Sequence, residues 1–326
     1  MNHLKSKILI SALFSGLALT TYADINVVAS VKPVHSLVSG VMEGVGKPDL
    51  IVQGSASPHT YSLKPSQAQQ LEDADLVFWM GHELESFLEK PLEAIATSAH
   101  VVELIDSSSL KKIKMREGGM FDAHAHDDHD EHEGHDDHDE HEGHDDHHDH
   151  GHGEFDIHVW LDPENAKVLV NEIKLALIEK DPSNASIYEA NSKKINLKLD
   201  QLIDEVSSKL ESEKGKGYVV FHDAYQYFEE RFGMSAVGSI TVSPEVVPGA
   251  NRIRELKEKI VDLNATCVFS EPQFEPKLVS TVIEGTQANT GVLDPLGASI
   301  KDGPELYFTL IRNMANSLQD CLSKKS

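Results

Sequence analysis

Long apolar runs are nearly missing from this 326-residue chain. The longest, Ile8–Leu19, holds about a dozen residues, too few to cross a bilayer. Cysteine is almost as scarce. Cys267 and Cys321 are the two present, with no Cys-x-x-Cys spacing and no nearby histidine, which argues against a thiolate zinc site. Basic charge is the third shortage, with 29 Lys and Arg against 54 Asp and Glu for a net charge of -25. Nucleic acid is thereby excluded as a partner, because phosphate binding relies on clustered cations.

The acidity is not evenly spread. Thirteen of the negative charges, Asp127 to Asp149, fall in one tract that has no Lys or Arg, and the rest of the chain is only moderately acidic. From Asp122 to Asp156 the chain is built almost wholly of His, Asp, Glu and Gly, reading HDDHDEHEG from His126, the same again from His135, then HDDHHDHGHG from His144. Imidazole and carboxylate are the ligands that zinc and its neighbours accept. His126, His129, His132, His135, His138, His141, His144, His147, His148 and His150 are therefore candidate weak accessory metal sites. With no apolar residue between Ala125 and Phe155, the tract cannot bury enough surface to offset its ordering entropy, and it reads as a disordered loop inserted in a globular protein.

The N-terminus has Lys5 and Lys7, the apolar run, and Thr21-Tyr22-Ala23, the pattern of a signal peptide over residues 1–23. Cleavage is expected after Ala23, releasing a soluble product into a Gram-negative periplasm. No Cys lies near that point, which excludes a lipid anchor. In an oxidising compartment the even pair Cys267 and Cys321 reads as one disulfide.

The 40% apolar content is enough for real cores in two domains. The patterning predicts strands at Ile25–Val31, Leu50–Gln53, Leu76–Trp79 and Val101–Leu104. Helices alternate with them at Val34–Met42, Pro65–Leu71 and Leu84–Ala99, the last broken at Pro91. Beyond the tract come helix Pro163–Glu179 and a long polar stretch from Ser183 to about Glu213. Its apolar stripe is Ile187, Ile195, Leu199, Leu202, Val206 and Leu210. A second series follows, with strands Tyr218–Phe221, Ala236–Ile240, Thr266–Ser270 and Gly291–Leu293. Its helices are Ala224–Phe232, Ala250–Leu263, Pro276–Asn289 and Leu306–Leu322. The rhythm predicts an α/β protein of two parallel-sheet lobes, 24–182 and 214–326, joined by one long rigid helix over 183–213.

In open α/β sheets ligands bind beyond the carboxyl ends of strands, which singles out four residues. His59 lies in the loop after the strand ending at Gln53, His222 follows Phe221, Asp294 follows Leu293, and His158 lies just past the tract.

The same residues sit in motifs that resemble the metal-binding subunits of zinc ABC importers. They are Ser57-Pro58-His59-Thr60-Tyr61, Ala74-Asp75-Leu76, Leu84-Glu85, His158-Val159-Trp160-Leu161-Asp162-Pro163, Phe221-His222-Asp223-Ala224-Tyr225, Phe269-Ser270-Glu271-Pro272-Gln273-Phe274 and Leu293-Asp294-Pro295-Leu296-Gly297. Together they span nearly the whole chain after residue 23. The resemblance implies Zn2+ held in the cleft between the lobes by His59, His158 and His222, with Asp294 or water as fourth ligand. Manganese-type relatives have glutamate where His222 stands. Some zinc members carry an acid just before the first histidine, where this chain has Pro58. Tyr61 and Tyr225 would shield the site or orient its ligands, His35 would support it near the cleft, Trp79 and Trp160 would pack in cores, and His82 and His100 would lie on the surface. Partners implied are a zinc ABC permease and its cytoplasmic ATPase, with the binding subunit a monomer without chemistry of its own.

Two rivals belong to other classes. Three histidines and a water also describe a zinc hydrolase. Against it, His132-Glu133-Gly134-His135 is one residue short of His-Glu-x-x-His, and His82-Glu83 has Ser86 where the second His would fall. A storage or buffering protein would use the tract as its principal site and the lobes as scaffold.

Overall fold

A computed structural model describes residues 25–116, 121, 155–241, 249–262, 265–275 and 277–324. The expected signal peptide and the ten tract histidines named above as candidate accessory sites lie outside them. The first half carries β1 (Val27–Ala29), α1 (Lys32–Val41), β2 (Asp49–Leu50), α2 (Pro65–Glu72), β3 (Leu76–Trp79), α3 (Ser86–Ala94) and β4 (His100–Glu103). After the tract come α4 (Pro163–Lys180) and α5 (Ala185–Leu210). The second half carries β5 (Tyr218–His222), α6 (Gln226–Phe232), β6 (Gly238–Thr241), α7 (Ala250–Asp262), β7 (Cys267–Ser270), α8 (Lys277–Ile283), β8 (Asn289–Val292) and α9 (Leu306–Leu322).

The strands form two sheets, ordered β2-β1-β3-β4 and β6-β5-β7-β8, and every pairing within them is parallel. Parallel strands are covered on both faces, so they read as continuous apolar runs, and β3 and the first four residues of β5 are buried throughout. In each sheet the chain moves one way from the central strand and then back to its other side. The resulting switch points, between β1 and β3 and between β5 and β7, are where such sheets open a crevice.

At 26 residues α5 runs roughly 39 Å. Its buried stripe is Tyr188, Ser192, Ile195, Leu199, Leu202, Val206 and Leu210, a helical period along one face. The stripe therefore starts at Tyr188, and Ile187 is 37% exposed. α5 packs on α1, α4 and α9, and one apolar cluster runs from Val27 through Leu199 to Leu322. The core thus passes through α5 instead of stopping at it. A smaller cluster, with Phe221, Ile240, Leu256 and Val268, lies within the second half. Cys267 and Cys321 are joined by a disulfide that ties the first residue of β7 to α9.

Two helices, α3 and α8, fall well short of the lengths the sequence pattern predicts. α3 begins only at Ser86, because Leu84 and Glu85 belong to a turn in which the Glu85 carboxylate accepts from the Met80 and Gly81 amides. Pro91 does not break α3, which continues to Ala94. α8 ends at Ile283, short of Gly285 at φ +83°, and Asn289 already pairs with Cys267 in the sheet.

Candidate metal centre

Each histidine is delivered by a different local device. His59 sits in a one-turn 3-10 helix, Pro58–Thr60, whose following residue Tyr61 is held by Gln67: the Gln67 amide donates to the Tyr61 hydroxyl and to the Ile51 carbonyl. His158 stands between buried Ile157 and Val159 just ahead of α4. There Asp162 caps the helix by accepting from the Glu164 amide, with Pro163 in the first turn. His222 is the last residue of β5, not the first beyond it, and is paired with Thr241 of β6.

The three imidazoles converge. Ring centroids lie 5.8 Å apart for His59 and His158, 5.9 Å for His59 and His222, and 5.3 Å for His158 and His222. One ring nitrogen from each falls within 4.8 Å of the others, and among the described residues this is the one cluster of three such ligands. The His158 and His222 Nε2 atoms are 3.5 Å apart.

Two acids fix which nitrogen faces inward. His158 Nδ1 lies 2.7 Å from Asp156 Oδ1, and His222 Nδ1 lies 2.7 Å from Glu271 Oε1. Both carboxylates are buried. A carboxylate at Nδ1 selects the Nδ1–H tautomer and leaves Nε2 with its lone pair toward the centre, the arrangement that raises the basicity of a metal-bound imidazole. Neither acid is singled out by sequence reasoning. In hindsight the β5–β7 register pairs Tyr218 with Cys267, and four residues further along both strands come His222 and Glu271.

The electrostatics differ from ring to ring. Burial, with the neighbouring His158 and His222, pushes His59 down to about 2, so it is neutral at any ordinary pH. Burial also opposes charge on His222, but the Glu271 carboxylate outweighs it and holds this imidazole above its usual value. Burial, reinforced by Glu271, raises the Tyr225 phenol well above its ordinary range. Three imidazoles backed by two buried carboxylates make a centre whose negative charge a divalent cation would neutralise.

Asp294 is not drawn into this cluster. One of its carboxylate oxygens accepts from the Gln273 side chain and the Leu296 and Gly297 amides, and the other from the Ala298 amide. Gly297, at φ +74°, completes that turn. Trp160 packs in the core as expected, yet it also reaches the centre, with its ring 5.2 Å from His158 and its indole N–H on the Pro295 carbonyl. Phe274 stacks on Phe221 at 4.8 Å and lies 6.1 Å from His222. Tyr225 is 6.3 Å from His222, and its hydroxyl lies by the Leu293 carbonyl. Tyr61 packs on Phe87. His35 is buried beside the Pro48 carbonyl and does not line the cavity. His82 lies next to Glu103, His100 is exposed, and Trp79 is buried away from the cavity. The cavity measures about 10 Å³, and among its walls are the three histidines, Leu84, Trp160 and Phe274. That is the space of one water-sized sphere, enough for an ion.

Two parallel α/β halves carry a three-imidazole cluster lined from both, a donor set that suits a divalent metal. The sequence profile described as ZnuA, zinc-uptake complex component A periplasmic, matches residues 27–321. The chain belongs to this family. It is 55% identical over 334 residues to the high-affinity zinc uptake system protein ZnuA of Brucella suis biovar 1 (strain 1330), covering 99% of this chain and all of that one. It is 37% identical to the protein of the same name from Yersinia pestis, covering 92% of each chain. Solved structures share the fold. A crystal structure of ZnuA superposes with a TM-score of 0.74 at 22% identity, covering 92% of this chain and all of that one. The periplasmic zinc binding protein TroA from Treponema pallidum gives 0.73 at 19% identity, covering 93% of this chain and all of that one.

Proposed function

We propose that this protein captures Zn2+ in the periplasm, on His59, His158 and His222, and delivers it to the membrane permease of an ATP-driven importer. The observation that carries the reading is the convergence of three imidazoles, two of them with Nε2 directed inward by a carboxylate on Nδ1. A set of nitrogen donors without a ligating carboxylate suits zinc, whereas manganese and magnesium favour oxygen. With the Asp294 oxygens engaged in its turn, the fourth ligand in this reading is a water. The lobes are 24–182 and 214–326, with 183–213 as the helix between them, and the protein works as a monomer. The histidine tract collects zinc weakly and exchanges it with the cleft.

A carrier needs no general base, and Asp156 and Glu271 each direct an oxygen to a ring nitrogen. The test is zinc titration against a chromophoric chelator. Deleting Ala123–Gly153 should remove weak sites and leave one tight site, and adding alanine at positions 59, 158 and 222 should abolish that site. A triple variant, tract deleted, that still holds zinc as tightly as its parent overturns the proposal.

A further inference from the structure

The two halves meet around α6, which starts four residues after His222. Its first residue, Gln226, is buried, and its side-chain amide lies 3.2 Å from Asp156 Oδ2. The other oxygen of the same carboxylate takes the His158 Nδ1 at 2.7 Å and the His158 backbone amide at 2.9 Å. Next along α6, the Tyr227 hydroxyl donates to the Asp156 carbonyl at 2.6 Å and accepts from the Ile113 amide at 3.0 Å. One turn on, Arg231 makes a two-pronged contact with Asp162, the cap of α4. α6 therefore grips residues 156–162 at both ends, and Gln226 is the part of that grip that bears on the His158 partner.

We infer that Gln226 is a positioning residue for metal capture, one that sets the Asp156 carboxylate from the half carrying His222 and so aims His158 Nε2 at the ion. The inference rests on the reading of His59, His158 and His222 as zinc ligands. A neutral amide suits this task. It satisfies a buried lone pair that would otherwise go unmet, and it leaves the full negative charge of Asp156 directed at the imidazole. A Lys or Arg in the same place would cancel that charge and weaken the push on the ring. Because the α6 start is tied to β5 by a few residues of chain, the orientation of His158 is registered to the position of His222.

The experiment is a double-mutant cycle on the full chain, read by zinc affinity in chelator competition. Gln226→Met keeps the volume and removes the donor, and Gln226→Asn withdraws the amide by one methylene in a milder change. Each should weaken zinc roughly fivefold, less than the tenfold or more for losing a ligand's own hydrogen-bond partner, because Gln226 acts one bond further out, through Asp156. In an Asp156→Asn background either change should add less than about twofold, since the carboxylate it acts through is gone. Nitrogen-15 shifts of the His158 ring in the metal-free protein supply a readout that general loosening would not mimic. The parent should show the Nδ1–H tautomer, and Gln226→Met a mixture. Affinity within twofold of the parent for both variants, or an undiminished loss in the Asp156→Asn background, overturns the inference. His158→Ala separates the two levels: if it weakens zinc while the Gln226 variants do not, the positioning role alone falls. If His158→Ala also leaves zinc unchanged, the ligand assignment falls with it.

Discussion

Replacing Glu271 by Gln removes one negative charge from a buried site and almost nothing else. The carboxylate is 3% exposed and lies 2.7 Å from His222 Nδ1, and Gln has the same length and can still accept from that nitrogen. What disappears is the charge that strengthens His222 as a donor. Loss of such a partner costs about 10–100-fold in metal affinity, or roughly 1.4–2.8 kcal/mol.

The penalty should depend on pH. Glu271 holds His222 above its ordinary value, so in the parent protons compete with zinc for this nitrogen from above pH 6.5 downward. In the variant that competition starts lower, and the gap between the two proteins narrows as the solution is acidified. The metal-free proteins should show a different asymmetry. A histidine raised by folding contributes stability that is full below its unfolded pKa and disappears as pH rises through the folded one. Glu271→Gln should therefore destabilise the metal-free chain more at pH 5.5 than at pH 8.5. Chelator competition from pH 6 to 8 and denaturant unfolding at the two pH values measure both effects. Zinc affinity within twofold of the parent across the range, or a penalty that grows toward acid, refutes the argument.

Glu85, wholly buried, is held up to about 7 by burial, so folding favours its neutral form. The sign follows: its contribution is intact below pH 4.5 and lost as pH rises through 7, and Glu85→Gln should raise unfolding stability by roughly 3 kcal/mol at pH 8 with little change near pH 4.5. An unchanged stability difference between those pH values in urea titrations would remove the basis for it. Cys267 and Cys321 are separated by 54 positions, so replacing both by Ser should cost about 4 kcal/mol through the loop entropy regained on unfolding. Zinc affinity should hold, because neither cysteine lines the cavity. A melting temperature unaffected by the double change would contradict the first half, and a weakened zinc site the second.

Runs that are buried on every side could be read directly from the residues. β3 at Leu76–Trp79 and α9 at Leu306–Leu322 have the bounds their apolar patterns predict, because nothing but burial decides them. α3 and α8 fall short of their patterns where a side chain or a positive φ intervenes: the Glu85 carboxyl group holds the turn before Ser86, and Gly285 follows the end at Ile283. Tertiary hydrogen bonds of that sort leave no periodic trace.

The site divides along the same line. Rules about strand ends single out His59 and His222, since the carboxyl end of a strand is a property of sequence order, whereas His158 is marked by its place just past the tract and by the motif around it. Asp156 and Glu271 escaped because 54 acids compete for attention and only pairing between strands chooses among them. The choice is nonetheless mechanical once pairing is known. β7 lies beside β5, and Tyr218 opposite Cys267 puts Glu271 level with His222. Asp294 satisfies the strand-end rule equally well, but it follows β8, two strands from β5 and therefore roughly 10 Å to the side. At that offset a carboxylate must lean across the end of β7 to meet His222, and here three backbone amides of its own turn hold it instead. Register between strands, more than position along the chain, decides which acid stands behind the histidine cluster.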